Sequence, residues 1–228
     1  FLGRVDDETT GRVSYYRQSA ASQTVGDWGE IAFTAIGTGS AVGGAAANTT
    51  YPAYNSLSSV SSSTGGATLH FIKTNNQFAY LGNSHIFAEF LTAVQTLSDG
   101  TETFETGWQI TADPASTSVV ANNTVGIRYT HSTNSGKFQG YSRDNAGSES
   151  TVDLGVTVTG TQMYVLRIEI DKARAEARFY IDGTMSGRVT GNMPTANPVG
   201  ARAILLKSAG TTARQCRVIT MAAGAIHP

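Results

Sequence analysis

Two carboxylates one residue apart on a β-strand project to the same side, which is how a glycoside-cleaving site can set a nucleophile and an acid on one sugar. Glu169-Ile170-Asp171 is where this sequence offers such a pair. Position 174 is Arg174, and Glu176 lies beyond an expected chain reversal with Arg174 and Arg178 at alternate positions. Glu102 and Glu105, in "ETFE", are separated by an odd step that sends them to opposite faces of a strand. Neither set reads as an acid–base pair, so the chain is expected not to be an enzyme and no catalytic residue is assigned.

Metal chemistry finds little to work with. His70, His85, His131 and His227 show no ligand spacing and have no cysteine beside them. "SRDNAGSE", with Asp144, Asn145 and Glu149, is the one acidic loop that could invite calcium, but it fits no defined loop motif and reads as a polar turn. Phosphate-cradling, nucleophile-elbow and dinucleotide patterns are absent. No metal and no cofactor are expected.

Sugar recognition asks for less: an aromatic face to stack on and planar polar groups to hydrogen-bond hydroxyls. In "VGIRYTHSTNSGKFQGYSR", alternation places Val125, Ile127, Tyr129 and Phe138 in the core and turns Arg128, Thr130, Gln139, Tyr141 and Arg143 outward. Gln109 joins them if Trp108 and Ile110 point inward. The candidate ligand-binding residues are therefore Gln109, Arg128, Gln139, Tyr141 and Arg143, with Tyr141 the expected exposed centre. The plain alternative is an ordinary solvent-facing sheet. Trp28 and Trp108 sit where alternation makes them core.

These side chains need strands to hold them. "RIEIDKARAEARFYIDG", from Arg167 to Gly183, contains strong helix formers, yet its apolar residues recur every second position, and propensity is the weaker vote. The expectation is a hairpin reversing at Asp171-Lys172, with Ile168 facing Ala175, Glu169 facing Arg174 and Arg167 facing Glu176. "HIFAEFLTAVQTL" fits a helical stripe of Phe87, Phe90, Leu91, Val94 and Leu97 better than it fits strand alternation; the following "SDG" and "TETFETGWQIT", read as the second arm of a hairpin, favour a strand all the same. Further turns are expected at Asp99-Gly100, at "NSG" from Asn134 and at Asp182-Gly183. Residues 40 to 66 form a tract of small residues, expected to be mostly loop, and Cys216 in "RQCRVIT" reads as a small core residue.

The 228 residues suffice for one large all-β domain, taken as 26–228, behind an N-terminal arm or linker, 1–25. Charged residues are 14% of the chain, against about 25% in ordinary domains. With a net charge of −1 and the 16 Lys and Arg scattered singly, nucleic acid is not an expected partner. No apolar run approaches the ~18 residues needed to span a bilayer, so membrane insertion is not expected either.

"AEFLTAVQTLSDGTETFETGWQI", "VGIRYTHSTNSGKFQGYSRDN" and above all "YVLRIEIDKARAEARFYIDG" resemble the concanavalin A-like lectin/glucanase jelly roll, in the laminin-G-like version found in bacteriophage virion proteins. The resemblance runs from about Gly26 to the C-terminus. It implies an antiparallel two-sheet jelly-roll sandwich, one sheet concave, with glycan binding as the commonest activity. The E-x-D-x-x-E strand motif of the family's glucanases is broken here at Arg174. The function that the resemblance implies is that of a non-catalytic lectin-like virion module binding a carbohydrate or host-surface receptor. The alternatives are a capsid-decoration or fibre protein acting through subunit contacts, and a glucanase or polysaccharide lyase. It further implies virion subunits as partners, a homo-oligomer (a trimer by analogy with phage fibres), and a place on the virion surface after assembly in the host cytoplasm.

Overall fold

The computed structural model describes residues 2–7, 11–19, 31–37, 40–45, 54–59, 64–71, 79–97, 104–114, 116, 118, 121–130, 133–171, 173–195 and 198–227. The described residues form strands and turns and no helix: β1 Leu2–Asp7, β2 Gly11–Ser19, β3 Ile31–Gly37, β4 Ser40–Ala45, β5 Tyr54–Ser58, β6 Gly65–Phe71, β7 His85–Val94, β8 Phe104–Thr111, β9 Thr124–Tyr129, β10 Lys137–Arg143, β11 Glu149–Thr157, β12 Met163–Ile170, β13 Ala177–Ile181, β14 Thr184–Val189, β15 Gly200–Lys207 and β16 Gln215–His227. They pair antiparallel into two sheets. One runs β1-β2-β16-β7-β12-β13-β14, with β5 also bonded to β16 and β4 to β5; the other runs β11-β10-β9-β8-β15-β6-β3. The architecture is a jelly-roll sandwich of the expected class.

Alternation positions the core. Ile86, Ala88 and Phe90 on β7 and Leu166, Ile168 and Ile170 on β12 face Trp108, Ile110, Val125, Ile127 and Phe138 of the other sheet, all fully buried. Trp108 meets Phe138 edge-on at 5.8 Å, and Phe138 meets Tyr164 at 5.1 Å, arrangements that suit the aromatic quadrupole. The indole Nε1 donates to Thr92 Oγ1 at 3.1 Å, so the one polar atom of this large side chain is not stranded. Cys216 is buried in the same core.

"HIFAEFLTAVQTL" supplies β7 as a strand, but not as the first arm of a hairpin with "TETFETGWQIT": β7 lies between β12 and β16 in one sheet and β8 between β9 and β15 in the other, because the chain crosses from one layer of the sandwich to the other between them. Neighbours on both edges satisfy the β7 backbone, which a helical stripe on one face could not exploit here. The Arg167–Gly183 segment is a hairpin, but its register differs from the expected one: Ile168 pairs with Phe179, Glu169 with Arg178 and Arg167 with Tyr180. The reversal is a wide loop instead of a tight turn. Asp171 Oδ1 accepts from the amides of Ala175 and Glu176, and Arg174 adopts a φ of 58°, so residues 173–176 are spent on the loop and β13 starts at Ala177. The slip is four residues, an even number, so every side chain keeps its face. Asp182 and Gly183, at φ 50° and 80°, make the next turn of the type that matches strand twist.

The small-residue tract from 40 to 66, expected as loop, contains β4, β5 and the start of β6. Small side chains do not prevent pairing when a long partner strand is present, and Ser56 and Leu57 lie against Arg217 and Cys216 of β16. Within the segment read as an arm, β2 pairs with β16 from Ser19 opposite Thr220 to Arg12 opposite His227. Trp28, His131 and the Asp99-Gly100 turn lie outside the described residues.

Candidate functional site

The outer face of the second sheet carries all five side chains singled out as ligand-binding candidates. On β8, Glu105, Gly107, Gln109 and Thr111 alternate with the core-facing Thr106, Trp108 and Ile110. Register then lines up Arg202 of β15, Gln109 of β8, Gly126 of β9 and Tyr141 of β10 in one row across four strands. A second row sets Gly107 beside Arg128 and Gln139.

Gly126 decides the geometry. Strands β8 and β10 are two spacings apart, about 10 Å, too far for side chains that stand upright to touch. Because Gly126 has no side chain, Gln109 and Tyr141 lie down over β9 and meet: Gln109 Nε2 donates to Tyr141 Oη at 2.6 Å. A Cβ on Gly126 would sit 2.8 Å from Tyr141 Cε1 and 3.0 Å from Gln109 Cγ. Gln109 Oε1 in turn accepts from Arg202 Nε at 2.6 Å. At the other end the guanidinium of Arg128 stacks 4.8 Å above the Tyr141 ring, donates to Gln139 Oε1 at 2.8 Å, and forks onto both oxygens of Glu149 at 2.7 and 3.1 Å. Arg143 donates to Asn122 Oδ1 at 3.1 Å and stands 3.9 Å from Glu149.

The structure corrects one part of the sequence reading. Tyr141 and Gln109 do turn away from the core, but they are 0% exposed, and Arg128 is 8% exposed, where an open stacking platform was expected. Burial follows from the flat packing over Gly126 and from the Arg128 guanidinium stacked on the Tyr141 ring; at the far end of the row the carbonyls of Ser116 and Ser118 accept from Arg202 at 2.6 and 2.7 Å. Gln139 and Arg143 are the half-buried members that solvent reaches. Desolvation holds the Tyr141 hydroxyl well above the ordinary phenol range and lowers Arg202 to about 10.

Sequence reasoning left out four residues of this layer: Arg202, His70, Glu105 and Glu149. Alternation within "GARAILLKS" puts Arg202 on the polar side of β15, but its adjacency to β8 is a matter of strand order. His70, directly opposite Arg202 on β6, is 4% exposed, and burial with the neighbouring guanidinium holds its imidazole below the usual range. Glu105 Oε1 is buried without a hydrogen-bond partner. Burial drives its carboxyl up to about 7; the charge of Arg128 opposes this and that of Glu149 adds to it.

A stability signature follows for Glu105. Its folded pKa lies above its unfolded one, so its contribution is complete below about 4.5 and is lost as pH rises through about 7. Glu105→Gln should therefore gain stability relative to the parent between pH 5 and 8, read by urea unfolding across that range. His70 contributes the opposite slope in both proteins, so the difference isolates Glu105. Parallel pH profiles would show that this carboxyl is solvated.

The carboxylates first considered for chemistry lie elsewhere. Glu169 is on the outer face of the other sheet, where His85 at 3.6 Å above all, then Arg167 at 2.8 Å and the Tyr180 hydroxyl at 3.1 Å, pull it down to about 2 against the effect of burial. Asp171 caps its own loop. Asp144 Oδ1 accepts from the amide of Ser148, Asn145 is bonded to Asn122 and Asn123, and Glu149 is held by Arg128. Among the described residues no group of three His, Cys, Asp or Glu converges on a point where a metal would sit.

No family model and no curated protein matches the chain. Solved structures do resemble it. The protein SO2946 from Shewanella oneidensis MR-1, of unknown function, superposes with a TM-score of 0.63 at 10% identity, over 97% of this chain and 90% of that one. The carbohydrate recognition domain of Emp47p gives 0.62 at 10% identity over 98% and 100%. A prokaryotic β-1,3-1,4-glucanase (lichenase) derived from a mouse hindgut metagenome gives 0.58 at 10% identity over 92% and 98%. The fold is therefore that of concanavalin A-like lectins and glucanases.

Proposed function

We propose that the chain is a non-catalytic, lectin-like module of a virion surface that binds a carbohydrate on the outer face of its seven-stranded sheet. The observation that carries this reading is the joined row of Arg202, Gln109, Tyr141, Arg128 and Gln139: planar polar groups locked in place by one another, with Gln139 and Arg143 reaching solvent. Such a layer loses little rotamer freedom when hydroxyls bind to it. The carbohydrate recognition domain among the structural neighbours supports the reading, and the virion setting rests on the resemblance of the hairpin "YVLRIEIDKARAEARFYIDG". Assembly as a homo-oligomer belongs to the same proposal.

Cleavage of the bound sugar has one observation in its favour: Glu105 stays protonated up to about pH 7, the state a general acid needs. Against it, both oxygens of the nearby Glu149 are taken up by Arg128, so this carboxylate is not free to act as nucleophile or base.

The test is a glycan array with the intact chain, beside its size in solution. A specific hit should weaken at least about tenfold in the double variant Gln139→Ala/Arg143→Ala, with the protein still folded and its melting temperature lowered by only a few degrees, the cost of leaving Arg128 Nε without its acceptor. A stable oligomer that binds no glycan would replace this reading with a purely structural virion role. Release of new reducing ends, abolished by Glu105→Gln, would replace it with an enzymatic one.

A further inference from the structure

Arg202 presents a mismatch between charge and partners. Its side chain is 0% exposed, and its three nitrogens donate to Gln109 Oε1, Ser116 O and Ser118 O at 2.6, 2.6 and 2.7 Å. All three acceptors are neutral. Among the described residues no carboxylate comes within ion-pair distance of it. Other guanidiniums of this chain do find one: Arg128 on Glu149, Arg167 on Glu89 and Glu169, Arg178 on Glu176. The exposed Asp113 acts on Arg202 only through space, without bonding it, so much of the desolvation cost of the buried cation stays uncompensated. The two terminal nitrogens, one on each carbonyl, form the planar fork that a carboxylate fits with two parallel bonds.

A second group beside the fork also lacks its partner. His70 faces Arg202 in the β6–β15 pairing, is 4% exposed, and its Nδ1 is buried with no hydrogen bond. A buried ring nitrogen left unmatched costs on the order of 1–3 kcal/mol. One anionic acceptor seated at Arg202 would serve both residues.

We propose that the guanidinium fork of Arg202, with His70 beside it, is a carboxylate-binding subsite of this sheet face, now occupied by the carbonyls of Ser116 and Ser118, which the carboxylate of an acidic saccharide displaces. The choice of a saccharide rests on the function proposed above; the choice of an acidic one rests on Arg202 and His70. Charge-assisted bonds are roughly twice as strong as those to neutral acceptors, so exchanging two backbone carbonyls for one carboxylate is favourable at the fork. The exchange also opens the Arg202 end of the row, where Arg202 Nε donates to Gln109 Oε1.

The experiment uses the intact chain, with tri-galacturonate as the acidic probe and galactotriose as the neutral one, alongside paired acidic and neutral glycans on the array. The acidic member of each pair should bind at least about tenfold more tightly. On binding, the carbonyl carbon NMR shifts of Ser116 and Ser118 should move as these oxygens leave Arg202. Arg202→Lys, which keeps the charge without the planar fork, should erase the preference. Because that substitution is buried and could unfold the protein, the carbonyl measurement on the parent chain decides independently. Equal binding of acidic and neutral glycans, or tight acidic binding with unchanged carbonyl shifts at Ser116 and Ser118, overturns the inference while leaving carbohydrate binding intact. Absence of any glycan ligand removes both.

Discussion

Tyr141→Ala is expected to destabilise the protein by about 3–5 kcal/mol, a cost normally met in a hydrophobic core, although the residue faces away from the core. The ring is 0% exposed, packs across Gly126 and carries the Arg128 guanidinium, so its loss opens a cavity and unseats a charged group together. Tyr141→Phe isolates the hydroxyl: it removes the oxygen that Gln109 Nε2 donates to and should cost about 1–3 kcal/mol. A cycle with Gln109→Leu should show coupling above about 0.5 kcal/mol. Urea unfolding at constant pH measures all three. If Tyr141→Ala costs under about 1 kcal/mol, the side chain is solvated as an ordinary sheet residue and the locked layer does not exist.

The second large effect lies on the other side of the same strand. Gly140 points its missing side chain into the sandwich, and a Cβ there would stand 2.5, 2.6 and 2.9 Å from three atoms of the Phe179 ring. Phe179 is fully buried, and Gly140 is fixed by pairing with Ile127 on one side and Val152 on the other, so neither can withdraw. Gly140→Ala should cost about 1–3 kcal/mol by overpacking, and Gly140→Val more. At this chain length each kcal/mol lowers the melting temperature by about 2–4 °C. Phe179→Leu costs stability alone but makes room, so the double variant Gly140→Ala/Phe179→Leu should lose clearly less than the sum of the singles. Simple additivity would mean that the two sheets do not meet at this point.

Both predictions turn on glycines, and both show where sequence reasoning stops. Alternation along single strands was enough to assign faces: Trp108, Val125, Ile127 and Phe138 inside, Gln109, Arg128, Gln139 and Tyr141 on the opposite side. It also survived the four-residue slip in the hairpin, because parity is unchanged by an even shift. It misjudged the turn because a loop closed by the Asp171 carboxylate carries no apolar signal. It took the residues from 40 to 66 for loop, since pairing to β16 compensates for side chains that bury little.

By itself, then, the order of residues settled a two-layered β architecture and which side of each strand is polar, because the strand period is a local property of the backbone. Strand order decided everything else about the site. That Gly126 lies between Gln109 and Tyr141, that Arg202 falls beside Gln109, and that His70 falls beside Arg202 depends on β6, β15, β8, β9 and β10 lying side by side, although they are drawn from the whole length of the chain. Only after those neighbours assembled did a row of polar side chains become a buried, mutually bonded layer, since burial and hydrogen bonding are properties of what surrounds a residue, which no local pattern encodes.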